Sequence, residues 1–191
     1  ILLCRLVIIN LDIQENKLDH AMDKLRKILE IDKQNILAMK QIADIFKRQN
    51  DFTQEISWLQ KAHDIKPEIE PGIRLIKLYY QNSQSYEVER TLKTLLQLQP
   101  ENLKLLEESA QLSTANNNEE KARNTYKHMS RIASNKENIK DLLHISRLQK
   151  NSGDLNSASN TLKKVLELSP NNISALSQQA DISVSKNEFE Q

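Results

Sequence analysis

Along this chain, amphipathic stretches ending in paired aliphatic residues close repeatedly at a proline or a proline-like stop. The stops are Lys33, Pro67, Pro100, Ser134 and Pro170, at intervals of 34, 33, 34 and 36 residues. A fixed period of this length constrains the fold more than any single residue does. A unit of that size cannot bury a complete core alone and has to stack on its neighbours. The clearest internal copy pairs Asn35 to Gln54 with Asn172 to Gln191, and half of the positions are identical. The identities include Ala38 and Ala175, the Gln-x-Ala-Asp-Ile run, and the corner at Asn50, Asp51 and Phe52 matched by Asn187, Glu188 and Phe189. Two unrelated amphipathic helices would share apolar periodicity, whereas these share polar identities and a turn.

Each period reads as a helical hairpin. Its first helix opens after the stop with an asparagine suited to an N-cap, as at Asn35, Asn102 and Asn172. A short corner follows at Asn16, Asn50, Gln84, Asn117, Gly153 and Asn187, mostly at Asn or Gly, which accept the left-handed conformation that ends a helix. The second helix then carries apolar residues at i, i+3, i+4 and i+7, as at Leu18, Ala21, Leu25, Ile28 and Leu29. Small residues at Ala21, Ala122 and Ala158 allow the two helices of a hairpin to approach closely. The expectation is an all-helical chain without a sheet.

Composition agrees with a thin stack. The 191 residues are 38% hydrophobic and 4% aromatic, lean against the roughly 45–50% apolar usage of compact domains. With 28% charged residues and a net charge of +1, nothing points overall to nucleic acid or an anionic membrane. Cys4 is the only cysteine, which excludes an intramolecular disulfide and a cysteine metal cluster. A reducing, cytoplasmic setting is the expectation, with the periplasm left open. The apolar start, Ile1 to Ile13, is broken by Arg5, Asn10 and Asp12 and is too short to span a bilayer; it reads as a packed helix. The last first-helix, Asn172 to Lys186, is expected to stop at the Asn187 corner and to pack Ile173, Leu176, Ala180 and Val184 on the fifth unit. No second helix follows it, and the chain does not begin with Met, so it reads as an internal piece of a longer array.

These residues resemble the tetratricopeptide repeat family. A small residue stands in the middle of the first helix, at Ala43, Ala110, Ser146 and Ala180; a Gly or Asn corner, the second-helix Ala and a closing Pro follow. The resemblance covers the whole chain, with units at about 1–33, 34–67, 68–100, 101–134 and 135–170 and a partial unit at 171–191. It implies an all-α fold, a right-handed α-solenoid of about five and a half stacked hairpins in one array. Departures from the pattern are Glu55 and Val88 in place of the second-helix Ala, and a third unit one residue short. About two extra residues lie between Ser134 and Leu142, where a longer connection is expected. Pentatricopeptide repeats, which read RNA, are the nearest look-alike. The closing Pro and the second-helix Ala favour the tetratricopeptide pattern, and Trp58, Tyr79, Tyr80, Tyr86 and Tyr126 are too few for a stacking surface and mostly fall on packing faces.

The chain lacks the constellations that chemistry needs. Gly72 and Gly153 are isolated, so no phosphate-cradling loop is readable. His20, His63, His128 and His144 occur singly, without a helical i, i+4 partner. Cys4 sits in an apolar helix and reads as core. Glu107/Glu108 and Glu119/Glu120 are adjacent in sequence and point about 100° apart on a helix, so they read as solvated faces. Trp58 reads as a side chain packed between units. No enzyme activity, cofactor or metal is expected.

The resemblance places a partner on the exposed stripe of the first helices, which line the concave side of the family's superhelix. In this chain the stripe holds Lys40, Asp44, Lys47 and Arg48, then Arg74, Leu78 and Gln81, then Lys104, Glu108 and Gln111, and continues with Lys140, His144 and Arg147. Mostly cationic with acidic interruptions at Asp44, Glu107 and Glu108, it implies a polar, partly acidic peptide or charged helix as partner. Nucleic acid, membrane and small-molecule substrates are not expected. Of the family's two-carboxylate clamp for chaperone tails, Lys40 and Lys104 match two places while Asp44, Leu75 and Glu108 replace the others, so such tails should bind poorly. Reversing Lys40 and Arg74 is expected to weaken partner binding and leave stability unchanged. The function read from this is a scaffold or adaptor that holds a protein partner. The alternative is a regulatory segment of a larger bacterial signalling protein or enzyme, of response-regulator or glycosyltransferase type. An RNA-binding solenoid is third.

Overall fold

The computed structural model describes the backbone of residues 2–189 and the side chains of residues 6–186. The side chains of Cys4, Asn187, Glu188 and Phe189 therefore lie outside the described residues. All described elements are helices, and within each of two compact units consecutive helices pack against one another, as the hairpin period predicts. They group into two compact units, Ile1–Leu98 and Gln99–Gln191. The first holds α1 (Leu2–Gln14), α2 (Leu18–Ile31), α3 (Ile36–Arg48), α4 (Phe52–Ile65), α5 (Ile69–Gln81) and α6 (Ser85–Leu98). The second holds α7 (Leu103–Ala115), α8 (Glu119–Asn135), α9 (Ile139–Asn151), α10 (Leu155–Leu168) and α11 (Ile173–Phe189).

The corners follow from backbone chemistry. Asn16, Asn50, Asn117 and Gly153 take positive φ, at 63°, 58°, 56° and 78°. At each, the next residue's N–H returns to a carbonyl five positions back: Lys17 to Asp12 at 2.8 Å, Asp51 to Phe46 at 3.0 Å, Asn118 to Ser113 at 2.8 Å and Asp154 to Gln149 at 2.9 Å. This is the hydrogen bond that closes a Schellman turn and satisfies carbonyls left over at the helix end. In the third hairpin the left-handed residue is Ser83, φ 56°, and not Gln84. Gln84 instead donates the closing hydrogen bond, to the carbonyl of Tyr79 at 2.9 Å. Side-chain caps start both first and second helices: Asn35 accepts from Ala38 N–H, Asn102 from Lys104 and Leu105, and Asn172 from Ala175 at first helices, and Asp51 accepts from Gln54 and Asn118 from Lys121 at second helices.

Two stops behave differently from the sequence reading. Ser134, unlike Pro67, Pro100 and Pro170, keeps its N–H, and α8 runs past it to Asn135. The extra residues there lengthen the helix, and the connection to α9 is a tight turn at Glu137, φ 49°, closed by Asn138 N–H to Ala133 O at 3.0 Å. No longer connection forms. At the other end, α11 continues through Asn187 to Phe189. Among the described residues it has no second helix whose packing would hold a left-handed corner there.

In the first unit, Leu6, Ile9, Ile13, Ala21, Leu25, Ile28, Ala38, Ile42 and Ile45 form one apolar cluster across α1, α2 and α3. Each fully buried aliphatic side chain contributes about 1.5–3 kcal/mol. Trp58 of α4 packs against this cluster with Met22, Leu29 and Phe46, and the Lys61 ammonium lies 4.1 Å from the centre of its ring. Small residues set the distances: a Cβ on Gly72 would stand 2.5 Å from Leu95 Cδ1, so α5 and α6 meet at a distance only glycine permits without a shift. In the second unit, Ala110, Ala122, Ala133, Ser146 and Ala158 are fully buried or nearly so. Polar groups there are linked: Ser130 and Thr161 hydroxyls lie 3.0 Å apart, and Thr161 donates to Gln149 at 2.8 Å.

The expected inward face of α11 is corrected. Ala175 and Ile182 are the buried residues, while Ile173 and Leu176 are 82% and 49% exposed and Ala180 and Val184 also face outward. Ala43, the counterpart of Ala180 in the internal copy, is covered by α4, the helix that α11 lacks among the described residues. Ala180 therefore lies on the face that in the internal copy receives the second helix, whereas Val184 matches Lys47, which is exposed there too.

His63 of α4 is buried, its Nδ1 makes no hydrogen bond, and burial holds its pKa below the usual 6.5, with Asp64 and Arg90 acting in opposite senses nearby. A neutral His63 is compatible with the fold, whereas the unfolded chain takes up a proton as pH falls through 6.5. Stability from this residue is present above that pH and is lost as pH falls toward the lowered folded value. Melting temperature is expected to drop between about pH 7 and about pH 5, before carboxylates titrate, and His63→Leu should flatten that drop. An unchanged pH dependence in the variant would refute the assignment.

Candidate functional site

Within each unit, polar residues join the first helices of successive hairpins. In the first unit, Gln41 of α3 donates to Leu6 O of α1 at 2.8 Å, and the Lys40 ammonium pairs with Glu68, at the start of α5, at 2.6 Å. Arg74 of α5 makes the densest contact. Its Nε donates to Glu55 at 2.6 Å, Nη1 to Asp44, and Nη2 to the carbonyl of Ala43 at 3.1 Å. Glu55 comes from α4 and is only 2% exposed, so one guanidinium ties α5 to both helices of the preceding hairpin. An acid at the position where the other second helices carry Ala21, Ala122 or Ala158 is thus explained by the arginine opposite it. The signal was legible as Glu55 breaking the pattern, but the partner was not, because nothing local links positions 55 and 74.

Two expectations for the exposed stripe are corrected by these contacts. Arg74 is not a solvent-facing charge whose reversal leaves stability unchanged, since its guanidinium neutralises a buried carboxylate. Leu78 is buried rather than exposed, as is Leu75. Ile73, Leu75, Ile76, Leu78 and Tyr79 are all buried, so apolar packing wraps most of the circumference of α5. Asp44 is half-buried against Arg74, while Lys47, Arg48 and Gln81 are exposed. Among the described residues, the Lys47 and Arg48 side chains make no ion pair or hydrogen bond.

In the second unit, the His144 imidazole lies 3.0 Å from Glu107 across α9 and α7, and Gln111 donates to the other oxygen of Glu107 at 3.4 Å. Ser146 donates to Gln178 of α11 at 2.8 Å, and Lys150 pairs with Asp181 at 3.4 Å. Lys104, Lys140 and Arg147 are exposed, with no side-chain ion pair or hydrogen bond among the described residues; Gln111 is exposed and Glu108 half-buried. Each unit thus carries both paired charges, which join neighbouring helices, and cations of its first helices left to solvent. Among the described residues no group of three or more His, Cys, Asp or Glu could hold a metal ion. No described helix is long and apolar enough to cross a membrane.

Residues 142–172 match the family described as tetratricopeptide repeat. No curated protein matches the chain. Among solved structures it resembles YrrB, described as a TPR protein with an unusual peptide-binding site, at 14% identity, TM-score 0.59, over 92% of this chain and 90% of that one. It also resembles MamA from Desulfovibrio magneticus at 14% identity, TM-score 0.61, over 89% and 96%. A third is the C-terminal part of a TPR repeat-containing protein from Cytophaga hutchinsonii, at 16% identity, TM-score 0.67, over 89% and 70%. At these identities the likeness establishes the fold.

The Arg74 contact gives a stability test. Arg74→Met leaves Glu55 buried and unpaired and is expected to cost about 3 kcal/mol or more, whereas Lys40→Glu, at a half-exposed pair, should cost about 1 kcal/mol or less. Adding Glu55→Ala to Arg74→Met should recover most of the loss. Urea melts of the singles and the double decide it, and additive losses would show that the two residues are not coupled.

Proposed function

We propose that this tetratricopeptide-repeat chain is a non-catalytic scaffold that holds a segment of a protein partner on the exposed faces of its first helices. One observation carries the reading: Lys47, Arg48, Lys104, Lys140 and Arg147 stay unpaired while their neighbours Lys40, Arg74, His144 and Lys150 are bonded from helix to helix. Exposed cations that join nothing contribute little to folding, so those of the first helices, like Lys93 and Lys163 of the second, are free to meet a partner. Their sign favours a polar, partly acidic partner, because complementary charge raises the encounter rate and sets the register of a bound segment. The described peptide-binding site of YrrB, a protein of similar fold, supports a peptide segment as the partner.

The test is comparative capture with the tagged chain. Lys104→Glu with Arg147→Glu should remove most of the protein retained by the unaltered chain, whereas Lys93→Glu with Lys163→Glu, exposed charges of second helices, should retain it. Both double variants should keep helicity and melt within about 1 kcal/mol of the parent. Equal retention by both would contradict the reading, as would loss confined to the second-helix variant.

A further inference from the structure

The second unit has a polar cleft of about 240 Å³, lined by residues of α8, α9 and α10. It opens where the first unit carries an apolar plug. There Leu29 of α2, Phe46 of α3 and Trp58 of α4 all pack against the apolar cluster. They are the twelfth, eleventh and seventh residues of their helices, and the same places in α8, α9 and α10 hold Ser130, Gln149 and Thr161. Each replacement is smaller and polar, and the three occur together. In the third hairpin the set is His63, Tyr79 and Thr91, all buried.

Ser130, Gln149 and Thr161 are 6%, 1% and 2% exposed, and their hydrogen bonds run in one direction. Thr161 has one hydroxyl proton and gives it to Gln149 Oε1 at 2.8 Å, so the Ser130 hydroxyl, 3.0 Å from Thr161 Oγ1, donates to Thr161. The amide nitrogen of Gln149 is left over. Its N–H groups have no acceptor among the described residues and the atom is not sealed from solvent, so they open into the cleft. A buried donor of this kind calls for an acceptor. Lys127 of α8 and Lys164 of α10 flank it, and neither makes an ion pair or hydrogen bond among the described residues. Lys164 holds the place of Lys61 in α4, whose ammonium lies 4.1 Å from the centre of the Trp58 ring; with Thr161 instead of a tryptophan, Lys164 borders open space. Asp154, the acid that senses Lys127, caps α10 and accepts from Ser157 N–H at 3.0 Å. The two cations outweigh it.

We propose that this cleft binds the phosphoryl group of a small phosphate monoester. Such a group carries a charge of about −1.5 to −2 at neutral pH and three acceptor oxygens, which match two ammonium groups on opposite walls and the amide N–H groups of Gln149 on the floor. Asn160 adds an amide at the rim. The volume lies below the roughly 300–1,000 Å³ of sites for drug-sized ligands, so the phosphoryl group enters with few further atoms. The site stands on second helices and does not depend on the proposed use of the first.

The test is an amide-resolved NMR titration of the full chain with inorganic phosphate and with ribose 5-phosphate, beside ribose and acetate at matched ionic strength. The side-chain amide of Gln149 and the backbone amides of Lys127, Ser130, Thr161 and Lys164 should shift saturably with both phosphates, with a dissociation constant of about 1 mM or tighter for ribose 5-phosphate. Ribose and acetate should leave them in place. Lys127→Gln with Lys164→Gln, at solvent-facing positions that the fold does not need, should weaken binding about tenfold or more, as should Gln149→Leu. Lys27→Gln with Lys93→Gln, which removes the same charge from the first unit, should change nothing. Absent or unsaturable shifts, equal shifts with acetate, or full affinity in the Lys127/Lys164 variant would overturn the site. An N-acetylated, C-amidated phosphoserine peptide that binds tenfold more tightly than ribose 5-phosphate would overturn the small ligand in favour of a modified protein segment.

Discussion

Everything in this structure depends on the left-handed corner that turns each first helix back onto its successor. The corner is one residue at positive φ plus one hydrogen bond to a carbonyl five positions back, and it recurs at Asn16, Asn50, Ser83, Asn117 and Gly153. Because the turn is short, the two helices of a hairpin lie close together, and the positions between them are small except at Glu55 and Val88. Ala21, Ala43, Ala110, Ala122, Ser146 and Ala158 are buried for that reason. A hairpin made this way covers only one side of itself, so its remaining apolar residues are buried by the neighbouring hairpin, as in the α1–α3 cluster with Trp58 against it.

Polar contacts take over where apolar packing thins out, along the first helices. Arg74 shows how far this goes: it permits a buried acid at a position where small residues stand in other hairpins, and in exchange joins three helices. A buried pair of this kind need not stabilise the fold more than well-packed apolar residues would, but breaking it on one side is costly. The same face therefore holds residues with different duties. Lys40, Arg74, His144 and Lys150 connect helices, and among the described residues Lys47, Arg48, Lys104, Lys140 and Arg147 are left to solvent.

Local features were legible in the sequence, and those set by a neighbour were not. The period, the asparagine caps and most corners depend on a residue's own backbone preference, and they appear where the pattern places them. Ser134 was misread because a serine can stand at the stop position and still donate its N–H, so α8 runs on to Asn135. The stripe on α11 was assigned to the wrong side because helical periodicity identifies an apolar face without saying what covers it. Ile173 and Leu176 remain outward for want of a covering helix among the described residues. A stripe carried from hairpin to hairpin places Leu78 and Arg74 in solvent, whereas their burial depends on α4 and on the wide apolar circumference of α5. Of the candidate site, the sequence shows which charges lie on the first helices; which of them are paired emerges only from contacts between residues 19 to 37 positions apart.

On the proposed function, a partner meets the first helices and not the second. Photo-crosslinking in cells tests this most directly, with a benzophenone side chain placed in turn at Gln81 and Gln111 of the first helices and at Lys93 and Lys163 of the second. All four positions are exposed, so each tolerates the substitution without a change in packing. The expected result is a partner adduct from Gln81, Gln111 or both, and none from Lys93 or Lys163. Adducts from the second-helix positions alone would contradict the account.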